Sequence, residues 1–172
     1  GSTLGGVVHR QLRVAVVGAG PAGVYVADVL HKSGTPASVD LFEKLPAPYG
    51  LIRYGVAPDH PRIKGIITAL RQVMSRPTVR LFGNVEYGRD ISLEDLQAHY
   101  DAVVFTTGAE KDRDLEIPGV DLPGCFGGAD YVSWFAGHPA VARDRPLDAE
   151  SIRVLGPGPV GHAVPAAVVP AA

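Results

Sequence analysis

The stretch RVAVVGAGPAGVYVADVLHKSG, residues 13 to 34, decides the fold of this chain. An apolar strand runs into a glycine-rich turn and then a helix, and Glu43 ends the next strand about twenty positions on. In the pattern Gly18-x-Gly20-x-x-Gly23, the first glycine permits a tight turn, the second lets the backbone approach a pyrophosphate, and the third lets the helix pack on the strand. The stretch therefore predicts a dinucleotide site, with phosphates at the helix N-terminus and Glu43 on the adenosine ribose. We interpret the dinucleotide as FAD.

The composition is that of an ordinary globular domain. The 172 residues are 46% hydrophobic and 20% charged, with a net charge of -2. Because there is no basic excess, we expect neither nucleic acid nor a membrane surface as a partner. The length allows one main core. The leading Gly1 and Ser2 look like a cloning remnant, and we expect residues 1 to 11 to be disordered.

Cysteine and histidine usage limits the chemistry. Cys125 is the only cysteine, so this chain alone builds neither an intramolecular disulfide nor a Cys-rich metal site. The histidines show no ligand spacing, and we expect no metal. A single cysteine fits a reducing compartment, and we expect a cytoplasmic protein.

Strands and helices alternate along the chain. We predict strands at residues 12–17, 38–42, 79–82 and 102–106, and helices at 21–32, 61–75, 93–100 and 129–137. Ser92 is predicted to cap the third helix, with Asp95 at its N3 position. A Pro- and Gly-rich irregular segment at 44–60 interrupts the alternation, and its length suggests a functional loop. The order predicts an α/β fold: a single domain over residues 12 to 150 with a doubly wound, mainly parallel, Rossmann-like sheet.

A second glycine pattern lies in SIRVLGPGPVGHAV, residues 151 to 164. It again joins a predicted strand to Gly156-x-Gly158-x-x-Gly161. Prolines at 157 and 159 remove backbone donors that such a turn could aim at phosphate, and later prolines oppose a helix. We therefore interpret residues 151–172 as the remnant of a second dinucleotide motif with an Ala/Pro tail, and we do not expect productive NADPH binding.

Three motifs carry a resemblance to a known family. They are the fingerprint, PAPYGLIRYGVAPDHPRIKGI at 46 to 66 and VVFTTGAEKDRDLEIPG at 103 to 119. With them the chain resembles the adrenodoxin reductase type of ferredoxin NADP reductase, from about Leu12 to about Gly161. Chains of that family are much longer, because they continue through an NADPH domain and return to cover the flavin. We therefore expect a protein truncated after the N-terminal FAD-binding part.

The resemblance also implies which residues contact FAD. The fingerprint residues would lie on the phosphates, Glu43 on the ribose, Leu51 near the flavin, and Tyr87 on the adenine side. The implied set is Gly18, Gly20, Pro21, Ala22, Gly23, Glu43, Leu51, Tyr87, Thr107 and Gly108. For Thr107 and Gly108 a tight strand-to-loop turn is the alternative interpretation.

Asp59 and His60 are the candidate catalytic residues. The resemblance implies that His60 lies close to the flavin and helps hydride transfer and proton management, for which its ordinary pKa is suited. The alternative is structural: the two residues cap the following helix and hold the loop.

Three functions stay open on the sequence. The one we favour is an FAD-dependent oxidoreductase-like flavoprotein that acts with a redox partner protein, or as a homodimer that covers exposed apolar surface. The second is a non-redox cyclase or isomerase acting on a small molecule in a vacated crevice lined by Tyr49, Tyr54, Asp59 and His60. The third is a non-catalytic binding subunit.

Overall fold

The computed structural model describes residues 10–56, 61–109, 116–144 and 151–155, without the side chains of Pro61 and Lys64. The chain divides into two compact units. The first unit comprises Gly1–Tyr49 and Thr68–Thr107, and the second comprises Gly50–Ile67 and Gly108–Ala172. The predicted domain boundary at residue 150 lies outside the described residues, and the predicted bounds stay a prediction.

The first unit holds a four-stranded sheet. Its strands are β1 (Leu12–Val17), β2 (Ala37–Glu43), β3 (Val79–Gly83) and β4 (Ala102–Phe105). They lie in the order β3-β2-β1-β4, and every neighbouring pair is parallel. The predicted Rossmann-like α/β fold with a parallel sheet is confirmed.

The helices are α1 (Pro21–Lys32), α2 (Gly50–Tyr54), α3 (Pro61–Met74), α4 (Leu93–His99) and α5 (Gly128–Ala136). The short helix α2 was not predicted. It lies inside the segment at 44–60 that is predicted to be irregular. Its five residues follow a Pro- and Gly-rich run and are too few to show a helical periodicity in the sequence.

Helices cover both faces of the sheet, as a doubly wound fold requires. Successive strand residues point to opposite faces. Val14 and Val104 line a cavity together with Val26 of α1. On the other face, Val17 belongs to a buried cluster with Leu96 of α4. The sheet is therefore the centre of the core of the first unit.

Local sequence explains where the two flanking helices begin. Helix α1 begins with Pro21, whose missing N–H costs nothing in the first turn, and it buries Val24 completely. Helix α4 begins with the predicted capping box: the Ser92 side chain accepts from the Asp95 N–H, and the Asp95 carboxylate accepts from the Ser92 N–H.

An acidic side chain, Asp40, is buried within the sheet of the first unit. Its carboxylate accepts hydrogen bonds from Arg80 at 2.7 and 2.6 Å and from the Tyr100 hydroxyl at 2.7 Å. Burial raises the pKa of Asp40, but the bonds from Arg80 and Tyr100 outweigh it and lower the pKa overall. Burial and the bond to Asp40 raise the pKa of Tyr100 to about 12. The carboxylate thus joins β2 and β3 to the residue that follows α4.

The second unit, taken by itself, is built on aromatic contacts. The buried Tyr131 of α5 stacks on Phe126 with ring centroids 5.9 Å apart and lies 5.6 Å from the Trp134 ring. Tyr54 of α2 meets the His138 ring edge-on at 5.0 Å. The Tyr54–His138 contact joins α2 to the turn that follows α5.

Among the described residues, no helix combines the length and apolar character needed to span a bilayer.

Candidate functional site

Two glycines of the fingerprint are required by the fold itself. Gly18 has a φ of +103°, and a Cβ atom there would stand 2.5 Å from the carbonyl oxygen of Thr106. A Cβ atom on Gly23 would run into the carbonyl oxygen of Gly18 and lie 2.9 Å from Oγ1 of Thr106. A side chain at Gly18 would push the end of β1 away from Thr106, and a side chain at Gly23 would push α1 away from the turn.

Gly20 is different, because nothing in the described protein requires a glycine there. Its backbone is extended, with φ -70° and ψ -177°, and a Cβ atom would meet no atom within 4 Å. The space beside Gly20 is therefore open. In a dinucleotide fingerprint this is the position at which the backbone approaches a pyrophosphate.

The backbone of Gly18 is fully hydrogen-bonded. Its N–H donates to the carbonyl oxygen of Phe42 at 2.7 Å, and its carbonyl oxygen accepts from the Thr106 hydroxyl at 2.9 Å. The strands on either side of β1 thus both hold the first residue of the turn.

Ala19 is held in the same way from the side of β2. Its N–H donates to Glu43 at 2.9 Å, and its carbonyl oxygen accepts from the Tyr49 N–H at 2.8 Å. The second carboxylate oxygen of Glu43 accepts from the Leu45 N–H at 3.1 Å. Glu43 therefore organises the turn and the following loop, and a carboxylate oxygen with one bond retains a lone pair for a ribose hydroxyl.

Tyr49 holds an unfavourable backbone conformation at this point. Its φ is +87°, which a non-glycine residue rarely adopts, and its side chain is buried. Such conformations cost about 1–3 kcal/mol and persist where the surroundings impose them. The bond from Tyr49 to Ala19 is one such constraint.

The N-terminus of α1 adjoins the open space beside Gly20. The N-cap residue, Gly20, has no side chain that accepts a bond, and the first turn contains no acidic residue. Because the first N–H groups of a helix lack intrahelical acceptors, this end carries positive potential. The arrangement suits an anionic ligand such as a pyrophosphate.

Aromatic side chains also lie at the carboxyl ends of the strands, where the glycine turn begins. Tyr87 meets Phe105 edge-on, with ring centroids 4.9 Å apart, and Phe105 pairs with Val17 in the β1–β4 register. Both rings are exposed. Tyr87, predicted on the adenine side, thus lies at the carboxyl ends of the strands, where open α/β sheets bind ligands.

Not every predicted residue belongs to the unit that contains this turn. Thr107 ends the first unit with an exposed side chain, whereas Gly108, with a φ of +72°, and the exposed Leu51 belong to the second unit. Asp59 and His60 lie outside the described residues, as does the glycine pattern from residue 156. These assignments stay predictions.

Sequence reasoning missed Thr106. Its hydroxyl donates to the end of β1, from which it is separated by almost ninety residues along the chain. The available signal was a hydroxyl residue at the end of an apolar strand, directly before the predicted Thr107. Among the described residues, no group of three metal-ligating side chains forms a metal site.

Comparison with known proteins shows which proteins share this glycine turn and the sequence around it. Residues 16–84, which include the turn and Glu43, match the NAD(P)-binding Rossmann-like domain. The chain is 44% identical over 149 residues to the mitochondrial NADPH:adrenodoxin oxidoreductase of Salvelinus fontinalis, covering 86% of this chain and 30% of that protein. It is 40% identical over 158 residues to the NADPH-ferredoxin reductase FprA of Mycobacterium leprae, covering 88% and 35%.

Over about a third of their length, the chain is similar to ferredoxin NADP reductases of the adrenodoxin reductase type. The resemblance predicted from the three motifs is confirmed. A solved structure of FprA, an oxidoreductase of Mycobacterium tuberculosis, superposes with a TM-score of 0.71 at 42% identity, covering 75% of this chain and 30% of that one.

The relationship bears on the cofactor. These reductases are FAD-dependent flavoproteins, in agreement with the predicted FAD. The chain spans about a third of the length of the curated relatives it matches. The comparisons support neither the cyclase or isomerase alternative nor the non-catalytic subunit.

Proposed function

We propose that this chain binds FAD as the FAD-binding part of an oxidoreductase of the ferredoxin NADP reductase type. The observation that carries the proposal is the open space at Gly20 beside the uncapped N-terminus of α1. The fold accounts for Gly18 and Gly23, whereas the room at Gly20 fits a group from outside the protein. A pyrophosphate has the charge and the size that this position takes in the fingerprint.

Each described residue has a distinct part in holding such a cofactor. The first-turn N–H groups of α1 would donate to phosphate oxygens, and Glu43 would accept from a ribose hydroxyl. Gly18 and Ala19 would fix the turn, since their backbone groups are already bonded within the protein. Bound FAD supplies the electron transfer chemistry of the family.

Asp59 and His60 stay the predicted catalytic residues beside the flavin. A histidine there would hold or move a proton near neutral pH. The names of the relatives, an adrenodoxin oxidoreductase and a ferredoxin reductase, support an electron-carrying protein as the partner.

Oligomeric state and location are part of the proposal. Exposed apolar side chains at Leu12, Tyr25 and Val29 support a homodimer that would cover them. Size-exclusion chromatography with light scattering tests this, and a monomer at micromolar concentration would contradict it. We also propose a cytoplasmic location, although some relatives, such as that of Salvelinus fontinalis, are mitochondrial proteins; cell fractionation tests it.

FAD retention is the first test of the proposal. The protein, incubated with excess FAD and then desalted, should keep the visible absorption of oxidised flavin. Gly20→Ala should lose it while remaining folded, since the added methyl group meets only the cofactor. Gly65→Ala is the matched control, because a Cβ atom there is also free of contacts and lies in α3. Absence of flavin from the wild-type protein would contradict the proposal.

Anaerobic addition of NADPH to the loaded protein is the second test. We expect dithionite, and not NADPH, to bleach the flavin, because the glycine pattern from residue 156 carries prolines that remove backbone donors. Bleaching by NADPH would show that the nicotinamide site works and would overturn that expectation alone.

A further inference from the structure

The hydroxyl of Thr106 occupies the junction of two strands and a helix. The Thr106 N–H donates to the carbonyl oxygen of Val17 at 2.8 Å, which continues the β1–β4 ladder beyond Phe105. The Thr106 hydroxyl lies 3.1 Å from that same oxygen and 2.9 Å from the carbonyl oxygen of Gly18. One hydroxyl proton is thus shared between the last residue of β1 and the first residue of the turn.

The Gly18 carbonyl depends on this hydroxyl. It lies under α1, where even a methyl group on Gly23 would collide with it. Among the described residues, Thr106 is the hydrogen-bond donor to this oxygen. A half-buried carbonyl that loses its donor is costly, so the turn would rotate toward another donor.

We propose that Thr106 is a positioning residue of the cofactor site. Its hydroxyl fixes the glycine turn against the end of β4 and so orients the first N–H groups of α1 toward the phosphates. The inference rests on the proposed binding of FAD. Thr106 acts through Gly18, because its hydroxyl points into the turn and is occupied there. A tilt of Gly18 moves Gly20 and the start of α1, since these follow within two residues.

The exchange Thr106→Val tests this directly. Valine keeps the branched shape and removes the proton donor. We expect the Kd for FAD to rise about tenfold, the size of one lost hydrogen bond to a covered carbonyl. Thr106→Ser keeps the hydroxyl and should bind FAD as the wild type does. Thr78→Val is the matched control, because Thr78 is exposed and precedes β3 at the opposite edge of the sheet.

Amide hydrogen exchange without FAD gives an independent measurement. In Thr106→Val the amides of Gly18 and Ala19 should lose protection relative to the wild type, while those in α4 should not. A merely structural contact would change the protection of the whole unit together. If the wild-type protein fails to bind FAD, the proposed function is wrong, and amide exchange alone decides whether Thr106 holds the turn.

Several results would overturn the inference. Wild-type FAD affinity and wild-type protection in Thr106→Val would show that the hydroxyl is not needed. If that variant does not fold, Thr106→Ala replaces it, and equal FAD affinities of the alanine and serine variants would have the same meaning. A loss in Thr78→Val equal to that in Thr106→Val would show that the effect is not specific to the turn.

Discussion

At Gly18 a methyl group would stand 2.5 Å from the carbonyl oxygen of Thr106, whereas at Gly20 it would meet no atom within 4 Å. Both residues belong to one motif, yet the protein itself explains only the first. A glycine that the fold requires contributes to stability, and a glycine that the fold does not require points to a ligand. Mutation can therefore separate folding from binding within three residues.

We expect Gly18→Ala to lower the free energy of unfolding by roughly 2 kcal/mol or more, because it combines a positive φ with a backbone clash. Gly20→Ala should cost less than about 1 kcal/mol, the difference between glycine and alanine at an N-cap. Denaturant unfolding of both variants measures this. A larger cost for Gly20→Ala would mean that the fold requires this glycine too.

The sequence could predict part of this site at the level of single residues. Gly18, Gly20, Gly23 and Glu43 were predictable because they lie close together in the chain and their spacing reports one local geometry. The role of Thr106 was not predictable, because it depends on the pairing of β1 with β4. The positive φ of Tyr49 is likewise imposed by tertiary contacts.

Among the helices and strands, α4 shows how a local signal fixes a boundary. Its capping box was predicted, and Leu96, in the first turn after it, is fully buried in the core of the first unit. The cap positions the helix over the sheet, and burial of Leu96 fixes its rotation.

We expect Ser92→Ala to lower the free energy of unfolding by about 1 kcal/mol, because the Asp95 N–H loses its acceptor. Ser92→Thr, which keeps an oxygen at the cap, should be close to the wild type. Thermal unfolding followed by circular dichroism compares them. Equal stability of the alanine and threonine variants would contradict a role for the cap.

Tyr100 gives a pH-dependent test of the contact that joins β2 to the end of α4. Its pKa is raised from 10.0 to about 12 in the folded protein, so its contribution to stability is complete below pH 10 and is lost as the pH rises through about 12. The melting temperature of the wild type should fall more steeply than that of Tyr100→Phe between these pH values. Parallel curves would show that the hydroxyl does not interact with Asp40 as described.

The helices and strands were predictable where their patterns are long. The predicted bounds of β1 and α1 agree with the structure, since an apolar strand and a glycine turn leave no competing interpretation. Helix α2 was missed because Tyr49 and Gly50, both with positive φ, introduce it from a loop that sequence alone does not define.

On the scale of the whole molecule, the strand order places β1 between two neighbours, so that its carboxyl end is held from both sides. Phe42 and Glu43 act from β2, and Thr106 acts directly after β4. Hydrogen bonds from the two neighbouring strands thus fix the conformation of the turn without a ligand. Stability of the fold and binding of the cofactor are therefore thermodynamically linked.

We expect FAD at a hundredfold excess over its Kd to raise the free energy of unfolding by about 2.7 kcal/mol. Riboflavin, which lacks the pyrophosphate and the adenosine, should have little effect at the same concentration, because the described site addresses those groups. Thermal unfolding at several ligand concentrations measures both. Equal stabilisation by riboflavin would mean that the flavin ring, and not the glycine turn, provides the binding energy.

The prior hydrogen bonding of Gly18 and Ala19 has a consequence for how quickly a ligand is captured. A turn whose carbonyl and amide groups are already engaged has no slow rearrangement to complete after encounter. Stopped-flow traces should accordingly be single exponentials whose rate rises linearly with FAD concentration, and a plateau would reveal a gating step. Because the turn is rigid before the ligand binds, we expect related sequences to differ in the dissociation rate of FAD more than in its association rate.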